Sequence, residues 1–382
     1  MVKSLFFSIL FLSFLSVSVD AAPQKISKGF WITCFDEQSP LSSQPALEKT
    51  LQFAEQGGFD TLFVQVYRGD KAWFDSSVAD ASPFVENRSR MGGDPLEQLI
   101  QRAHQRGIKI HAWVNTLTLS QNERAPVLKK FGTDILTLDQ HGRSALGKKR
   151  KEGLDGFYQK EDQLFLEPGD PRVKEHLRAI ILEIATKYPE LDGIHFDYIR
   201  YPAAPPFIPG SRFNSVGLSY GYGPKNVERF RQAAGIDPLF VDGKPEESLA
   251  WDQWKRDQVT GLLRDLAAEA KKRNPRLQIS CAVIAALDRG YGSAGQDWGL
   301  WLEQGIADFV VLMNYSIDPR WVPLACRSAI GVAGDPQKIA VGLGAYLLKE
   351  KPDLLQQQIE ECAALNPRMI VLFDYAALSE RD

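Results

Sequence analysis

The chain of 382 residues is poor in the residues that build redox and metal centres. It contains only four cysteines and five histidines, and no two cysteines form a Cys-x-x-Cys pair. Such a composition argues against a zinc or redox centre. His111 and His195 could share a metal, but two histidines without a third ligand at a known spacing are more often hydrogen-bonded core residues. We therefore expect no cofactor and no catalytic metal.

An excess of charge is also lacking. Forty-five basic residues face 48 acidic ones, which gives a formal net charge of −3. Nucleic acids and anionic membranes select proteins with clustered positive charge. The one basic run, Lys148 to Lys151, favours a solvated loop face, so no nucleic-acid partner is expected.

Apolar segments of membrane-spanning length are missing after the N-terminus. There, Lys3 precedes an apolar, serine-rich stretch from Ser4 to Val19, and small residues follow at Val19-Asp20-Ala21. The stretch is shorter than the roughly 20 residues that span a bilayer, which favours a cleaved signal peptide over a retained anchor. We predict a signal peptide at residues 1–21 and an exported protein, periplasmic or extracellular, without stable membrane insertion.

Export would permit disulfides, because oxidising compartments preserve them. Cys34 and Cys281 lie in apolar runs, where buried free cysteine is common. Cys326 and Cys362 are expected on neighbouring helices, so a disulfide between these two is possible.

Two catalytic loop motifs are absent as well. The sequence has no Gly-x-Ser-x-Gly elbow, and no Gly-x-Gly-x-x-Gly follows the first predicted strand. Serine-nucleophile chemistry and dinucleotide binding therefore have little support. The missing phosphate loop also counts against a doubly wound open sheet, which would normally have fewer strands than this chain predicts.

What the sequence does have is a repeated alternation of short β-branched or aromatic runs with longer amphipathic stretches. Eight strands are predicted, at 29–35, 61–67, 109–115, 193–199, 278–284, 308–315, 338–346 and 369–375. Helical patterns occupy 45–58, 95–107, 171–188, 251–273, 297–305 and 352–365. This alternation predicts an α/β fold, a single (β/α)8 TIM-barrel domain over residues 22–382.

Two connections are too long for ordinary barrel turns. Residues 116–170 follow the third strand and residues 200–250 follow the fourth. Loops of that length are usually functional or carry substructure of their own. Both begin at the C-terminal end of a strand, which is the barrel face that carries catalysis.

The stretch DGIHFDYIRYP, residues 192–202, delivers a carboxylate to that face. Because strand side chains alternate, Ile194 and Phe196 suit contact with the outer helices, and His195 and Asp197 then point inward. Asp197 lies nearest the mouth, where a desolvated carboxylate suits acid–base or nucleophilic chemistry. The alternative is a structural aspartate that pairs with Arg200 or caps the next loop.

The same alternation predicts an amide- and ring-lined mouth. It turns Gln65, Tyr67, His111, Trp113 and Asn115 inward, and the sixth strand ends in Asn314 and Tyr315. Aromatic residues recur at predicted mouth positions: Trp31, Tyr67, Trp73, Trp113, Tyr198, Tyr201, Trp298 and Tyr315. Any one of them could be core, but rings beside amides and carboxylates suit a sugar.

At this point a resemblance is apparent. The segments GFWIT, VQVYRGDKAWF, DPLEQLIQRAHQRGIKIHAWVN, LEPGDPRVKEHL, DGIHFDYIRYP, WDQWKRDQV and the DW…MNY stretch occur in order from about Gly29 to the C-terminus. Together they resemble the glycosyl-hydrolase-like family 10 barrels of bacterial envelopes. The resemblance implies an exported TIM-barrel glycosidase, and at least some members are linked to cleavage of peptidoglycan glycan strands.

The resemblance also implies roles for residues. It makes Asp197 the principal catalytic carboxylate, with His111, Trp113, Asn115, Arg200 and Tyr315 around the sugar. The full predicted substrate-binding set is Trp31, Gln65, Tyr67, His111, Trp113, Asn115, His195, Arg200, Tyr201, Asn314 and Tyr315.

One departure from the family pattern concerns the second acid. Many relatives carry two successive acids in this strand, whereas Tyr198 follows Asp197 here. Glycoside hydrolysis generally needs two carboxylates, and Asp70, Asp288 and Asp374 are candidates at strand ends. Asp374 and Asp70 are the predicted partners. Substrate assistance by the N-acetyl group of an amino sugar is the alternative.

The sequence therefore predicts an exported glycoside hydrolase that cleaves a cell-envelope polysaccharide, either peptidoglycan glycan strands or another amino-sugar polymer. A catalytically inactive carbohydrate-binding barrel is the alternative from another class. A metal-dependent hydrolase on the same barrel would instead lose activity with a chelator.

Overall fold

The computed structural model describes residues 26–35, 38–146, 162–203, 218–241 and 244–379. The signal peptide predicted for residues 1–21 and the basic run at 148–151 lie outside the described residues. The eight principal strands are β1 (Ser27–Ile32), β2 (Thr61–Arg68), β3 (Lys109–Asn115), β4 (Gly193–Asp197), β5 (Gln278–Ile284), β6 (Phe309–Met313), β7 (Ile339–Gly344) and β8 (Met369–Phe373).

Helices separate the strands. They are α1 (Gln44–Gly57), α2 (Ser82–Met91), α3 (Pro95–His104), α4 (Pro126–Phe131), α5 (Pro171–Lys187), α6 (Pro224–Ala234), α7 (Pro245–Arg273), α8 (Leu287–Ser293), α9 (Trp298–Glu303), α10 (Trp321–Ala333), α11 (Pro352–Ala363) and α12 (Tyr375–Ser379). Short 3-10 turns occur at Thr133–Ile135, Pro238–Phe240, Pro336–Lys338 and Ala345–Leu348. Many helices begin with proline in the first turn, where a missing N–H costs no hydrogen bond.

The strands close into a barrel. Each principal strand pairs in parallel with the next, and β1 pairs with both β2 and β8 through Phe30, which lies opposite Leu62 and Leu372. The predicted (β/α)8 barrel is therefore confirmed. All eight predicted strands are present, and the six predicted helical patterns correspond to α1, α3, α5, α7, α9 and α11.

Strand alternation divides the apolar side chains into two cores. One core lies between the barrel and its helices and includes Ile194 and Phe196, as predicted. The other fills the barrel with Trp31, Phe63, Trp113, Phe309, Val311, Ala340, Met369 and Val371. The inward direction predicted for β4 is confirmed, since its outward residues pack in the first core.

Two inward glycines make room for large rings inside the barrel. A Cβ on Gly193 would come within 2.6 Å of the Gln278 carbonyl oxygen and would overlap the His111 ring. A Cβ on Gly342 would lie 2.6 Å from the Trp31 ring. Rings on some strands thus occupy the space that glycine leaves on others, and the interior is packed rather than hollow.

A β-bulge corrects one inward prediction. The pairing of β2 with β3 shifts register between Gln65 and Tyr67, so that Tyr67 lies opposite the outward-facing Val114. Tyr67 accordingly packs in the outer core. The inward direction predicted for Tyr67 is wrong, because an extra residue in a strand moves every later side chain to the other face.

The Asp70 carboxyl group lies in the same outer region. Its Oδ1 accepts a hydrogen bond from the Tyr67 hydroxyl at 3.0 Å and lies 2.8 Å from His176 Nε2 on α5. Its Oδ2 accepts from the Val127 backbone N–H at 2.7 Å. Asp70 is fully buried. These contacts anchor α4 and α5 to β2, and we withdraw Asp70 as a catalytic candidate.

The long connections after β3 and β4 carry substructure, as predicted. Strand Thr118–Ser120 pairs with Leu164–Phe165 in a separate two-stranded sheet, and α4 lies between them in sequence. The connection after β4 carries α6 and the first part of α7. Both sit on the C-terminal side of the barrel.

Two further expectations concern cysteine and the membrane. Cys326 on α10 and Cys362 on α11 are buried free thiols on packed helices, and a hydrogen bond between them lowers the pKa of Cys326 and raises that of Cys362.

Within the described ranges, every helix is either too short or too polar to cross a bilayer.

The Asp70 network yields a stability prediction. Asp70→Asn leaves a buried donor network mismatched, and we expect it to lower the free energy of unfolding by about 1–3 kcal/mol. Asp265→Asn is the control, because its ion pair with Lys174 at 3.5 Å is exposed and such pairs contribute little. Urea denaturation measures both. Equal, small effects for the two variants would contradict the anchoring role.

Candidate active site

Asp197 ends β4 at the C-terminal mouth of the barrel, opposite Asn115 of β3. Its side chain is 7% exposed. The Trp113 indole N–H donates to Oδ2 at 3.1 Å, and the Tyr198 backbone N–H donates to Oδ1 at 2.7 Å. A donor on each oxygen fixes the plane of the carboxyl group, and such pre-organisation is what a reacting carboxylate requires.

Tyr198 adopts a left-handed backbone conformation with φ of 50°. Non-glycine residues rarely adopt positive φ, and such strain concentrates at functional sites. The Tyr198 ring packs against Phe165, with centroids 6.0 Å apart, and the Arg200 guanidinium lies 4.6 Å from its centre. These contacts hold the strained turn that follows Asp197.

Arg200 is buried at the junction between β4 and its long loop. Its Nη1 donates to the Tyr201 carbonyl at 3.1 Å, and its guanidinium also lies over Phe165. These contacts stabilise the junction. The sugar contact predicted for Arg200 stays a prediction.

Aromatic rings surround the end of the barrel next to Asp197. Phe373 at the end of β8 stacks on Tyr315, with centroids 5.4 Å apart, and meets Trp31 edge-on at 5.7 Å. Trp113 lies 6.3 Å from Phe373, and Tyr346 lies 5.9 Å from it. Tyr315 was predicted at the mouth and is partly exposed there, whereas Trp31 and Trp113, also predicted at the mouth, are buried in the barrel interior.

Phe373 and Tyr346 were missed by the sequence reasoning. Alternation from Met369 and Val371, both in the barrel interior, would have placed Phe373 inward. Tyr346 is 44% exposed in the turn after β7. The only feature of the sequence that could have indicated Tyr346 is that an aromatic residue follows a strand end.

The charges of two carboxylates act on the Tyr315 hydroxyl. Burial raises its pKa well above the ordinary value, and the charges of Asp197 and Asp374 raise it further. The hydroxyl therefore stays protonated and can donate a hydrogen bond.

Asp374 directly follows Phe373 and is partly exposed. Its Oδ1 accepts from the Ala377 backbone N–H at 3.2 Å, which caps α12. Burial raises the pKa of Tyr346, and the charge of Asp374 raises it further. Among the predicted second carboxylates, Asp374 is the one that the structure places beside the aromatic mouth. Asp288 lies exposed in the first turn of α8.

The amides of β2 and β3 form a linked set. Gln65 Nε2 donates to Asn115 Oδ1 at 3.0 Å, while Gln65 Oε1 accepts from the Cys34 backbone N–H at 3.3 Å and lies 3.1 Å from Cys34 Sγ. Burial raises the pKa of Cys34 to about 12, so its thiol is neutral and donates. The predicted inward direction of both amides agrees with these contacts.

His111 and His195 lie deeper in the barrel, and both are fully buried. The Trp31 indole N–H donates to His195 Nε2 at 3.1 Å, and His195 Nδ1 lies 2.9 Å from the Ser280 hydroxyl. Neither ring nitrogen of His111 has a hydrogen-bond partner among the described residues. Burial lowers the pKa of His111 to about 4 and that of His195 well below its ordinary value, so both rings are neutral. Their geometry supports packing, and their predicted sugar contacts are untested.

Two other residues of the predicted substrate-binding set make hydrogen bonds that hold loops in place. Asn314 Nδ2 donates to the Val322 carbonyl at 2.8 Å and so fixes the start of α10. The Tyr201 hydroxyl donates to Glu167 Oε1 at 2.8 Å. Trp73 and Trp298, which were predicted at the mouth, instead pack in the outer core.

Glu167 was not predicted, although it lies in the LEPGD segment. It is buried between the two long loops, where it meets Tyr201 and the Thr137 hydroxyl. Burial raises the pKa of Glu167 to about 7, against the opposing effects of those two hydrogen bonds. Only the folded arrangement of the loops reveals this environment.

Known structures resemble this fold. The catalytic domain of beta-amylase from Paenibacillus polymyxa superposes with a TM-score of 0.63 at 13% identity over 94% of each chain. Beta-galactosidase from Bacillus circulans sp. alkalophilus gives a TM-score of 0.59 at 12% identity over 91% of this chain and 50% of its own. These similarities agree with a (β/α)8 barrel fold.

Sequence comparison identifies the family to which the chain belongs. The chain belongs to the family described as glycosyl hydrolase-like 10, whose model matches residues 27–321. It is 25% identical to glycosyl hydrolase DigH of Escherichia coli K12, over 81% of this chain and 72% of that protein. It is 21% identical to glycosyl hydrolase YngK of Bacillus subtilis 168, over 70% of this chain and 48% of that protein.

The buried Glu167 predicts a pH-dependent stability. An acid whose pKa is raised on folding contributes stability that is fully present below pH 4.5 and is lost as pH rises through about 7. The rise in the pKa of Glu167 from 4.5 to about 7 corresponds to about 3 kcal/mol of folding free energy. Glu167→Gln should flatten this part of the profile, because the amide carries no charge at any pH.

Urea denaturation between pH 4 and pH 8 measures the effect. Glu175→Gln, an exposed carboxylate change on α5, is the control and should keep the wild-type slope. A slope unchanged by Glu167→Gln would show that Glu167 is not the titrating group.

Proposed function

We propose that this protein is an exported glycoside hydrolase that cleaves O-glycosidic bonds of a cell-envelope polysaccharide, with peptidoglycan glycan strands or another amino-sugar polymer as substrate. The observation that supports the proposal best is the Asp197 carboxyl group, held by Trp113 and by its own strained turn at the aromatic mouth of the barrel. Membership of a glycosyl hydrolase-like family agrees with it.

The aromatic mouth favours a sugar. Phe373, Tyr315 and Tyr346 pack against one another at the end of the barrel that carries Asp197, and the C–H face of a pyranose packs on such rings. The protonated Tyr315 hydroxyl can donate to a sugar oxygen. An apolar surface with a few oriented polar groups is the usual make-up of a small-molecule site.

Asp197 acts in this proposal as the acid/base or the nucleophile. With two carboxylates, Asp374 is its partner, and their separation would be about 5–5.5 Å for retention or about 6.5–9.5 Å for inversion. In either case one group protonates the leaving oxygen. In retention the other attacks the anomeric carbon, and water then releases the sugar from it; in inversion the other takes a proton from the water that attacks the anomeric carbon.

Substrate assistance is the second mechanism. Asp197 has an oriented carboxyl group, whereas Asp374 is engaged in capping α12 through the Ala377 N–H. With an N-acetylated sugar, the acetamido oxygen can attack the anomeric carbon, and Asp197 then orients that group or protonates the leaving oxygen. An amino-sugar polymer would supply the acetamide.

Export to the envelope follows in the proposal from the N-terminal segment. Lys3, the apolar stretch to Val19 and the small residues at 19–21 have the order of a secretory signal. An envelope polysaccharide would then be the accessible polymer.

An inactive carbohydrate-binding barrel is the alternative, and the observation that favours it is that Tyr198, rather than a second acid, follows Asp197. Only turnover separates the two functions, because both predict sugar binding at the same mouth.

Asp197→Asn tests the proposal. It keeps the size of the side chain but removes its charge, and we expect release of reducing ends from peptide-free peptidoglycan strands to fall at least about 100-fold. Asp353→Asn, an exposed change on α11, is the control and should retain wild-type turnover. Full activity of Asp197→Asn would remove the residue from the mechanism, and an inactive wild type on amino-sugar polymers would favour the binding protein.

Asp374→Asn separates the two mechanisms. A loss as large as that of Asp197→Asn supports the carboxylate pair. Retained turnover on N-acetylated strands, combined with its loss on de-N-acetylated strands, supports substrate assistance. Circular dichroism of each variant checks folding, since Asp374 also caps α12.

A further inference from the structure

Two of the four cysteines lie against each other in the helical layer outside the barrel. Cys326 on α10 and Cys362 on α11 are both 0% exposed. The two helices follow the neighbouring strands β6 and β7 and pack side by side. The thiols lie within hydrogen-bond contact of each other across this helix pair. Folding therefore brings together two sulfur atoms that are far apart in the sequence.

The helix faces suit a covalent link at this point. Cys326 lies on the buried face of α10 beside the small side chains of Ala325 and Ala329, and Cys362 lies at the end of the buried face of α11. A disulfide requires Cβ atoms about 3.5–4.5 Å apart, so it forms only where two elements approach closely. Thiols in contact across two packed helices are close to that arrangement.

The other two cysteines have different surroundings. Cys34 Sγ lies 3.1 Å from Gln65 Oε1 near the mouth, and Cys281 is buried on β5 in the outer core. In the described part of the chain, neither of them has a second thiol beside it. The structure thus divides the four cysteines into one pair and two single thiols.

Metal binding does not account for the pair. Structural zinc takes four ligands, and a two-thiol site would need further histidine, cysteine or carboxylate groups nearby. Among the residues that the structure describes, no group of three or more such side chains is present. Oxidation of the two thiols to a disulfide requires no additional ligand.

A link between these helices would act on the mouth through two hydrogen bonds. Asn314 Nδ2 donates to the Val322 carbonyl of α10 at 2.8 Å, and Gln358 Nε2 of α11 donates to the Ser316 carbonyl at 2.9 Å. Both bonds hold the segment that contains Tyr315. Joining α10 to α11 would therefore fix the part of the barrel that carries this ring.

We propose that Cys326 and Cys362 form a disulfide that joins α10 to α11 in the exported protein. This inference rests on the export that is part of the proposed function. Because both thiols are buried in the folded protein, the bond forms while the chain folds. One thiolate attacks the disulfide of a dithiol–disulfide oxidoreductase, and the second thiolate then displaces the partner's sulfur. The cysteine pair loses two electrons and two protons, and the oxidoreductase leaves as a dithiol.

The first test counts free thiols. The full chain with its N-terminal segment is produced in a secreting bacterial host, denatured, alkylated and analysed by mass spectrometry. We expect alkylation of Cys34 and Cys281 only, together with a peptide that joins Cys326 to Cys362. A second sample is reduced, unfolded and refolded in a glutathione redox buffer, which keeps the pairing separate from export. A link formed in this buffer but not in the host supports the pairing and counts against export.

Four alkylated cysteines after refolding in the glutathione buffer would overturn the proposal. A link that contains Cys34 or Cys281 would overturn it as well.

The second test measures the effect of the link on stability. A disulfide between residues 326 and 362 closes a loop of about 36 residues, and for a chain of this size the midpoint of thermal unfolding should be about 5 °C higher in the oxidised protein than in the protein refolded with a reductant. Cys326→Ala should abolish this dependence on the reductant. Cys281→Ala is the matched control, because it removes an equally buried thiol and should keep the dependence.

The outcome that contradicts the link is a midpoint of the wild type that does not depend on the reductant. A dependence that persists in Cys326→Ala would contradict it too.

Discussion

Closure of the barrel is the constraint on which the site depends. In a closed cylinder, alternate side chains of every strand must point inward, and the last inward residue of each strand then faces the mouth. In β4 that residue is Asp197, and in β8 it is Phe373. Trp113 lies two residues before Asn115 on the neighbouring strand, and its indole N–H donates to the Asp197 carboxyl group. The packed interior therefore supports the reacting group from beneath.

The long loops contribute apolar side chains such as Leu136 and Phe165 to the outer core, and polar contacts connect them to one another. Tyr201 reaches Glu167 across the two insertions, Thr137 accepts a hydrogen bond from the Gly221 N–H, and Arg172 bridges Asp170 and Asp134. Such contacts are directional, so they fix the position of a loop more sharply than apolar packing does. The loop that begins at Asp197 is thereby attached to the loop that begins after β3.

Much of the fold followed from the sequence, because period and strand count are local signals. Alternation placed Asp197, Trp113 and Gln65 inward, and the structure agrees. The inward direction predicted for Tyr67 was wrong, because a one-residue bulge has no distinct sequence signal in VQVYRG. The catalytic role predicted for Asp70 was withdrawn for a related reason, since a carboxylate near a strand end can face either the mouth or the helices.

Other features depend on contacts between distant segments. The environment of Glu167 depends on Tyr201, which lies 34 positions away in the sequence. Tyr346 and Phe373 meet Tyr315 only after the barrel has closed. No pattern within one segment could have shown these encounters, although each residue type was visible in the sequence.

The filled interior has a consequence for how a polymer can approach. Trp31, Phe63 and Phe309 occupy the axis, and Gly193 and Gly342 leave only the space that the facing rings take. A long glycan consequently has no route through the cylinder and must lie across its open end. Selection along such a chain would then be made by side walls, at positions spaced outward from the reacting bond.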